Sequence, residues 1–368
     1  MKIGVTCIVK KDTNVFSNGL LQNILTMKTV YEKCPNVEAC YFINTYTADP
    51  NEFKGTYWES YASDFISMDE MDICDVIVVT GGFIGKQRAD DLRKKGKKVV
   101  QHVMSASLSL FTEKVIFSDK KAGVYDHIEY DAVWVSPQFY ERDKFFTSVI
   151  HRCPSYEAPF VWDPKFIEAD CKESNYSNGY EPSLDLSKKI SIIEPNINMV
   201  KTCMVPLTIV ETVQRNEPEL IKQVHVFGAQ KIRDNLDFID FAGNLDINKQ
   251  HKVKFVGRFG IVFILKNYTD IMLFHQNQCE LNYAYFDAAW LGFPIIHNSP
   301  MIRNLGFMYH DNDAYEAANL ISQTSKLINV PGFVEQYKIN SQKFISKFLA
   351  INNVDGYSKL INKLFCNS

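Results

Sequence analysis

The chain has no run approaching the roughly 18 to 20 consecutive apolar residues that a membrane-spanning helix needs. Its opening, MKIGVTCIVKK, returns to charge too soon for a secretory signal and reads as a first β-strand. Neither sign of charge dominates. Forty Lys and Arg stand against 43 Asp and Glu, a formal net charge of −3, which provides no general attraction to nucleic acid or to an anionic membrane. Low-complexity tracts are absent. The nine cysteines (7, 34, 40, 74, 153, 171, 203, 279 and 366) are odd in number and form no CxxC pair, so they read as buried, reduced thiols of a soluble cytoplasmic protein. No HxxxH or Cys/His cluster has metal-ligand spacing, and no GxSxG marks a nucleophile elbow. Gly81-Gly82 with Gly85-Lys86 lacks the spacing and the following Ser or Thr of a Walker loop. It reads as a tight turn.

What the chain does have is α/β alternation, twice. At 368 residues it is long for one core and suits two domains. In the first half, Lys2 to Val9, Ala39 to Asn44, Cys74 to Thr80, Lys98 to His102 and Asp131 to Ser136 read as strands, several of them continuous apolar runs of the kind buried in parallel sheets. Helices are expected over Leu20 to Cys34 and Lys86 to Lys95. The composition then shifts to Pro, Ser, Asn and charge, and a second alternation starts at Lys189. The expected partition is an N-terminal domain over 1–155, a linker over 156–188, a second domain over 189–331, and C-terminal helices over 332–368 that brace the two. The fold class expected is α/β, with two Rossmann-like, doubly wound domains facing across a cleft and the C-terminal helix crossing back.

The stretch from Thr269 to Ser299 is the most informative. An apolar strand (270–274) leads through a polar loop (275–280) into a helix opening near Asn282, then a Gly-Phe-Pro break and a second apolar run. A loop after a parallel strand lies at the carboxyl edge of the sheet, where open α/β sheets bind ligands, and the N–H groups of the next helix favour an anion. The guest this points to is a nucleotide or another phosphorylated ligand. Asp287, one to two turns into the helix, is positioned for a sugar or ribose hydroxyl. Asn282 is an N-cap or a phosphate contact, and Glu280 a donor contact or a helix-dipole partner. Glu194 and Asn196 leave the first strand of the second half at its carboxyl edge. Arg258 is the best cation for a diphosphate because its forked guanidinium matches phosphate oxygens. In the first half, Asn18, Gly19, Gly81 and Gly82 are candidates for binding substrate. His102 and His275 end apparent strands and are candidate acid/base groups.

The order VKFVGR (253–258), TDIMLFHQ (269–276), YFDAAWLGFPIIHNS (285–299) and GFMYHDND (306–313) resembles the donor-binding half of GT-B glycosyltransferases. IGVT, SNGLLQN, PFVWDP, IEPNI, FHQ and LNY extend the resemblance over nearly the whole chain, to a domain-of-unknown-function family of GT-B-like proteins. The resemblance implies a metal-independent glycosyltransferase with no cofactor beyond its nucleotide-sugar donor. The donor is held by the second domain and a glycan, protein or small-molecule acceptor by the first, with Asp287 on the donor ribose and His102, His275 and Glu280 as catalytic candidates. Two alternatives are a nucleotide-sugar epimerase of the same fold and a non-catalytic nucleotide-sugar-binding protein. The sequence departs from the class at one point. Retaining members often carry two acids with seven residues between them, and the position that answers to Asp287 is Cys279, with Glu280 one residue late.

Overall fold

A computed structural model describes residues 1–117, 126–176 and 179–366. The chain divides into two compact units, one formed by residues 1–163 and 348–368, the other by residues 164–347.

The first unit is built on seven strands, β1 (Lys2–Cys7), β2 (Ala39–Asn44), β3 (Phe65–Ile66), β4 (Val76–Val79), β5 (Lys98–Val103), β6 (Ala132–Val135) and β7 (Ser155–Glu157). They pair in parallel in the order β3-β2-β1-β4-β5-β6-β7. The VIVV of β4 and the AVWV of β6 are buried throughout, as a strand covered on both faces requires. The order reverses between β1 and β4. At that edge Gly81 donates its N–H to the Thr6 carbonyl (3.1 Å), and Gly82 has a φ of 87° with the Thr45 side chain where its Cβ would be, so only glycine fits. Helix Gly19–Tyr31 starts beside this turn. Its N-cap is Asn18, whose side chain accepts from the Leu21 N–H (3.3 Å).

Sequence reasoning found the five longer strands but not the two- and three-residue strands β3 and β7, nor helices Ser107–Phe117 and Pro137–His151. The chain's last helix, Val354–Cys366, belongs to this unit. Tyr357 donates to the Pro159 carbonyl (2.8 Å) and meets Tyr31 edge-on at 5.4 Å.

The second unit has six parallel strands, β8 (Lys188–Ile192), β9 (Ile221–Phe227), β10 (Val253–Val256), β11 (Ile271–Leu273), β12 (Ile295–His297) and β13 (Phe307–Met308). Their order is β10-β9-β8-β11-β12-β13, with Ile190 beside Val224 on one side and Ile271 on the other. Both sheets thus follow the doubly wound order, and the switch point of the second lies between β8 and β11. The stretch read as a linker contains helix Lys165–Glu173, which belongs to the second unit. Helix Phe333–Ile345 also belongs there, because Tyr337 stacks on Phe307 and its hydroxyl accepts from the Ile295 N–H (3.2 Å).

Candidate functional site

The turns after β8 and β11 meet at Glu194. β8 ends at Ile192, and two residues further on the Glu194 side chain, 1% exposed, turns inward to accept the His275 backbone N–H at 3.0 Å. A second bond, from Asn277 N–H to the Val200 carbonyl (2.7 Å), joins the same two turns. Burial pushes the Glu194 carboxyl up to about 7, against the opposing effects of Lys201 and the His275 N–H. Tyr285, Tyr309 and Cys203 are the other groups that feel its charge.

Hydrogen bonding fixes the tautomer of His275. The single Tyr309 hydroxyl proton goes to the Phe274 carbonyl (3.0 Å), so the Nδ1 of His275, 2.8 Å from that hydroxyl, must be the donor. Its Nε2 is left as an acceptor. Burial holds the ring down at about 4, so His275 is neutral at physiological pH. That is low for a general base but suits an acceptor for a ligand hydroxyl. His297, at the end of β12, is the opposite tautomer. Its Nε2 donates to the Leu305 carbonyl (2.6 Å) while Nδ1 accepts from the Ser299 N–H (3.0 Å).

The loop after β11 is clamped to the end of β12 by reciprocal amides. Gln276 N–H donates to Asn298 Oδ1 (2.9 Å), Asn298 Nδ2 returns to the Gln276 carbonyl (2.8 Å), and Gln276 Nε2 reaches the Asn298 carbonyl (3.1 Å). The clamp presents residues 277–280 at the edge of the sheet, Asn277 and Gln278 being exposed and Cys279 and Glu280 half-buried.

Of the residues proposed from sequence, Glu194 and His275 are in contact at this edge. Asn196 is nearby with a φ of 52°, but its amide closes the turn: Nδ2 donates to the Glu194 carbonyl (2.7 Å) and Oδ1 accepts from Cys203 N–H (2.8 Å). Glu280 accepts the Met301 N–H at 2.8 Å, and Asn282 caps helix Tyr283–Trp290 through Ala284 N–H (3.4 Å). Asp287 is 6% exposed on that helix. Its charge, after burial and Asp170, contributes to raising the Cys171 thiol to about 11, so it lies on the side of helix Lys165–Glu173, whereas Tyr285 is the residue of its helix that feels Glu194. Arg258 is exposed in the turn after β10, two strands from β8.

In the first unit His102 is not at an open strand end. It is 4% exposed against the rings of Trp134 and Tyr357, and both its ring nitrogens lack hydrogen-bond partners among the described residues. Burial holds it neutral, down at about 3. Asn18 caps its helix, and Gly19, Gly81 and Gly82 lie at the β1 and β4 turns.

Sequence reasoning missed Lys201, Tyr285, Tyr309 and the Gln276–Asn298 clamp. The only signal for the clamp was that FHQ and HNS each follow an apolar run. Among the described residues no three His, Cys, Asp or Glu side chains are grouped to hold a metal ion, and no helix is long and apolar enough to cross a membrane.

Comparison with solved structures gives the same fold at low identity. Anabaena Alr3699/HepE superposes with a TM-score of 0.56 at 11% identity over 99% of this chain and 100% of its own. Sucrose-phosphate synthase of Thermosynechococcus elongatus gives 0.54 at 12% over 100% of both chains. The lipopolysaccharide outer core galactosyltransferase WaaB gives 0.56 at 12% over 99% of both. The two doubly wound units are those of the GT-B fold. No curated protein matches the sequence. A family model covers residues 3–361, and the chain belongs to that family, described as protein of unknown function DUF2827.

Proposed function

We propose that this protein is a glycosyltransferase that moves a sugar from a nucleoside-diphosphate sugar, bound by the second unit, to an acceptor bound by the first. The observation that carries this reading is the convergence of Glu194, His275 and the Gln276–Asn298 clamp at the switch point of the second sheet, where α/β sheets take nucleotides. Supporting it, HepE, similar in fold, has been crystallised with UDP-glucose and with UDP. Departure of the nucleoside diphosphate needs its growing charge stabilised. Arg258 and the N-terminus of helix Tyr283–Trp290 do this electrostatically, without a metal ion or other cofactor. Asp287 takes the ribose, and the neutral Nε2 of His275 accepts from a donor hydroxyl.

The test is a thermal-shift screen across UDP, GDP, ADP and CMP sugars, since a ligand that binds only the native state raises its stability. One nucleotide series is expected to raise the melting temperature, and Asp287→Ala to weaken its affinity about tenfold, about 1.4 kcal/mol. Unchanged affinity in that variant removes Asp287 from the site; no stabilisation by any series removes the function.

One observation favours a second reading, a non-catalytic nucleotide-sugar-binding protein. Glu280 is engaged by the Met301 N–H, and the preceding residue is Cys279. This reading expects donor binding with neither sugar transfer nor donor hydrolysis in a product assay.

A further inference from the structure

The turns after β1, β2 and β4, where the order of the first sheet reverses, carry apolar side chains to which no role has been given. Tyr46 and Phe83 are 57% and 55% exposed, and Ile8 and Leu20 are exposed as well. The turns hold one another in place. Thr45 gives its N–H and its hydroxyl to the Cys7 carbonyl (2.9 and 3.2 Å), and its side chain fills the space where a Gly82 Cβ would stand. The buried Asn44 amide accepts from Val9 N–H (3.0 Å) and Tyr46 N–H (3.2 Å) and donates to the Val9 carbonyl (2.8 Å). Ile8, Tyr46 and Phe83 thus each follow one of three mutually fixed residues, Cys7, Thr45 and Gly82. Leu20 opens the helix whose Ile24 lies against Gly81. Apolar side chains grouped and fixed at one edge mark a binding surface, whereas scattered ones do not. A second observation asks for a hydrogen bond at the same edge. The Thr80 hydroxyl, one residue before Gly81, is enclosed with no partner among the described residues, and such a group calls for water or a ligand.

The charge on these turns is balanced. Lys10 and Lys11 after β1 stand against Asp12 on the same turn and Asp49 after β2, and no charged residue lies between β4 and helix Lys86–Lys94. The Lys10 ammonium is moreover held over the Tyr46 ring at 4.9 Å. An anionic polymer or an anionic membrane needs an excess of cations, so the occupant these turns fit is uncharged. The same turns carry the Thr47 hydroxyl and the Asn18 amide beside the rings in sequence, which suits a ligand with both an apolar face and hydroxyls. A pyranose is such a ligand, because its C–H bonds form a flat face that lies on an aromatic ring while its hydroxyls form a polar rim. We propose that the acceptor is an uncharged saccharide whose sugar ring lies on Tyr46 and Phe83 at the switch point of the first sheet. This rests on the glycosyltransferase reading above. Gly82 has a place in the seat, since a Cβ there would strike Thr45 and part the turns that carry the two rings.

The experiment exposes the fluorescently labelled full chain to a printed array of neutral, uronic-acid and sialylated oligosaccharides. The strongest ligand, free in solution, is then titrated into wild type, Tyr46→Ala, Tyr46→Phe, Phe83→Ala and Phe145→Ala. Phe145, exposed on helix Pro137–His151 of the same unit, is the control. Neutral oligosaccharides are expected to be the ones bound. Tyr46→Ala and Phe83→Ala should each weaken binding about fivefold or more. Tyr46→Phe, which keeps the ring, should stay within about twofold, and Phe145→Ala should match wild type. The altered side chains are all exposed, so melting temperatures should match wild type and lost binding is not lost folding. The proposal is overturned if no neutral saccharide binds, if only acidic ones do, or if Tyr46→Ala and Phe83→Ala bind as wild type does. Vesicles of phosphatidylglycerol and phosphatidylcholine bound through the same two residues, with no saccharide bound, overturn it in favour of a membrane surface. The nucleotide-sugar screen separates this result from the parent reading. Saccharide held through Tyr46 and Phe83 with no nucleotide sugar bound overturns the glycosyltransferase reading alone, a nucleotide sugar bound without any saccharide overturns this proposal alone, and binding of neither overturns both.

Discussion

A buried carboxyl that prefers to be neutral makes stability depend on pH. Glu194 has a folded pKa of about 7 against an ordinary 4.5, so the folded state binds its proton more tightly than the unfolded state does. The stability this confers is complete below about pH 4.5 and is lost as the pH rises through 7. The shift corresponds to on the order of 3 kcal/mol, and Glu194→Gln should remove that dependence. Urea midpoints at pH 5 and pH 8 measure it, and equal slopes for the two proteins would contradict the shift. Tyr309 is the second residue on which the site depends. Its hydroxyl donates to Phe274 and accepts from His275, so Tyr309→Phe strands two buried polar groups at once, at a cost of about 2 kcal/mol or more. The same variant releases the His275 tautomer. Nitrogen-15 shifts of that ring should move from the Nδ1–H pattern toward a mixture, and an unchanged pattern would mean that another group sets the tautomer.

At the level of elements, helix starts follow side-chain chemistry that the sequence states openly. Asp313 accepts from both Tyr315 and Glu316 N–H (3.0 and 2.9 Å) at the start of helix Ala314–Leu327. Asp313→Ala should cost about 1 kcal/mol, read from the thermal midpoint. The long apolar strands and the helices after Asn18 and Asn282 were legible because their caps and runs are local. Helix Pro137–His151 was not, although Ser136-Pro137 is a good start signal, because its aromatic and charged residues give no clean stripe. The short strands β3 and β7 exist through pairing with longer neighbours, which no local pattern encodes. The site divides in the same way. Glu194 and His275 were legible as strand ends. Lys201, Tyr285 and Tyr309 were not, since no local pattern ties a turn after β8, the helix after β11 and a tyrosine after β13 to one sheet edge.

For the whole molecule, the open question is why a chain that has built its second sheet sends its last helix to the first. Tyr357 gives a physical answer. It is fully buried, donates to Pro159, meets Tyr31 edge-on, and forms a triangle of rings with His102 and Trp134 at 6.2 to 6.3 Å. Phe348 receives the Trp162 N–H at 2.8 Å, so the returning segment is hydrogen-bonded as well as packed. The terminal helix is therefore part of the core of the first unit, and His102 is a core residue because that helix covers it. Tyr357→Ala should cost about 3 to 5 kcal/mol, the price of an aromatic cavity. Hydrogen exchange locates the damage. Amides of helix Gly19–Tyr31 and of β5 should exchange faster, while those of β8 and β11, which no contact of Tyr357 reaches, keep their protection. Uniform loss of protection across both units, or none in β5, would mean that the helix does not hold the first unit in this way.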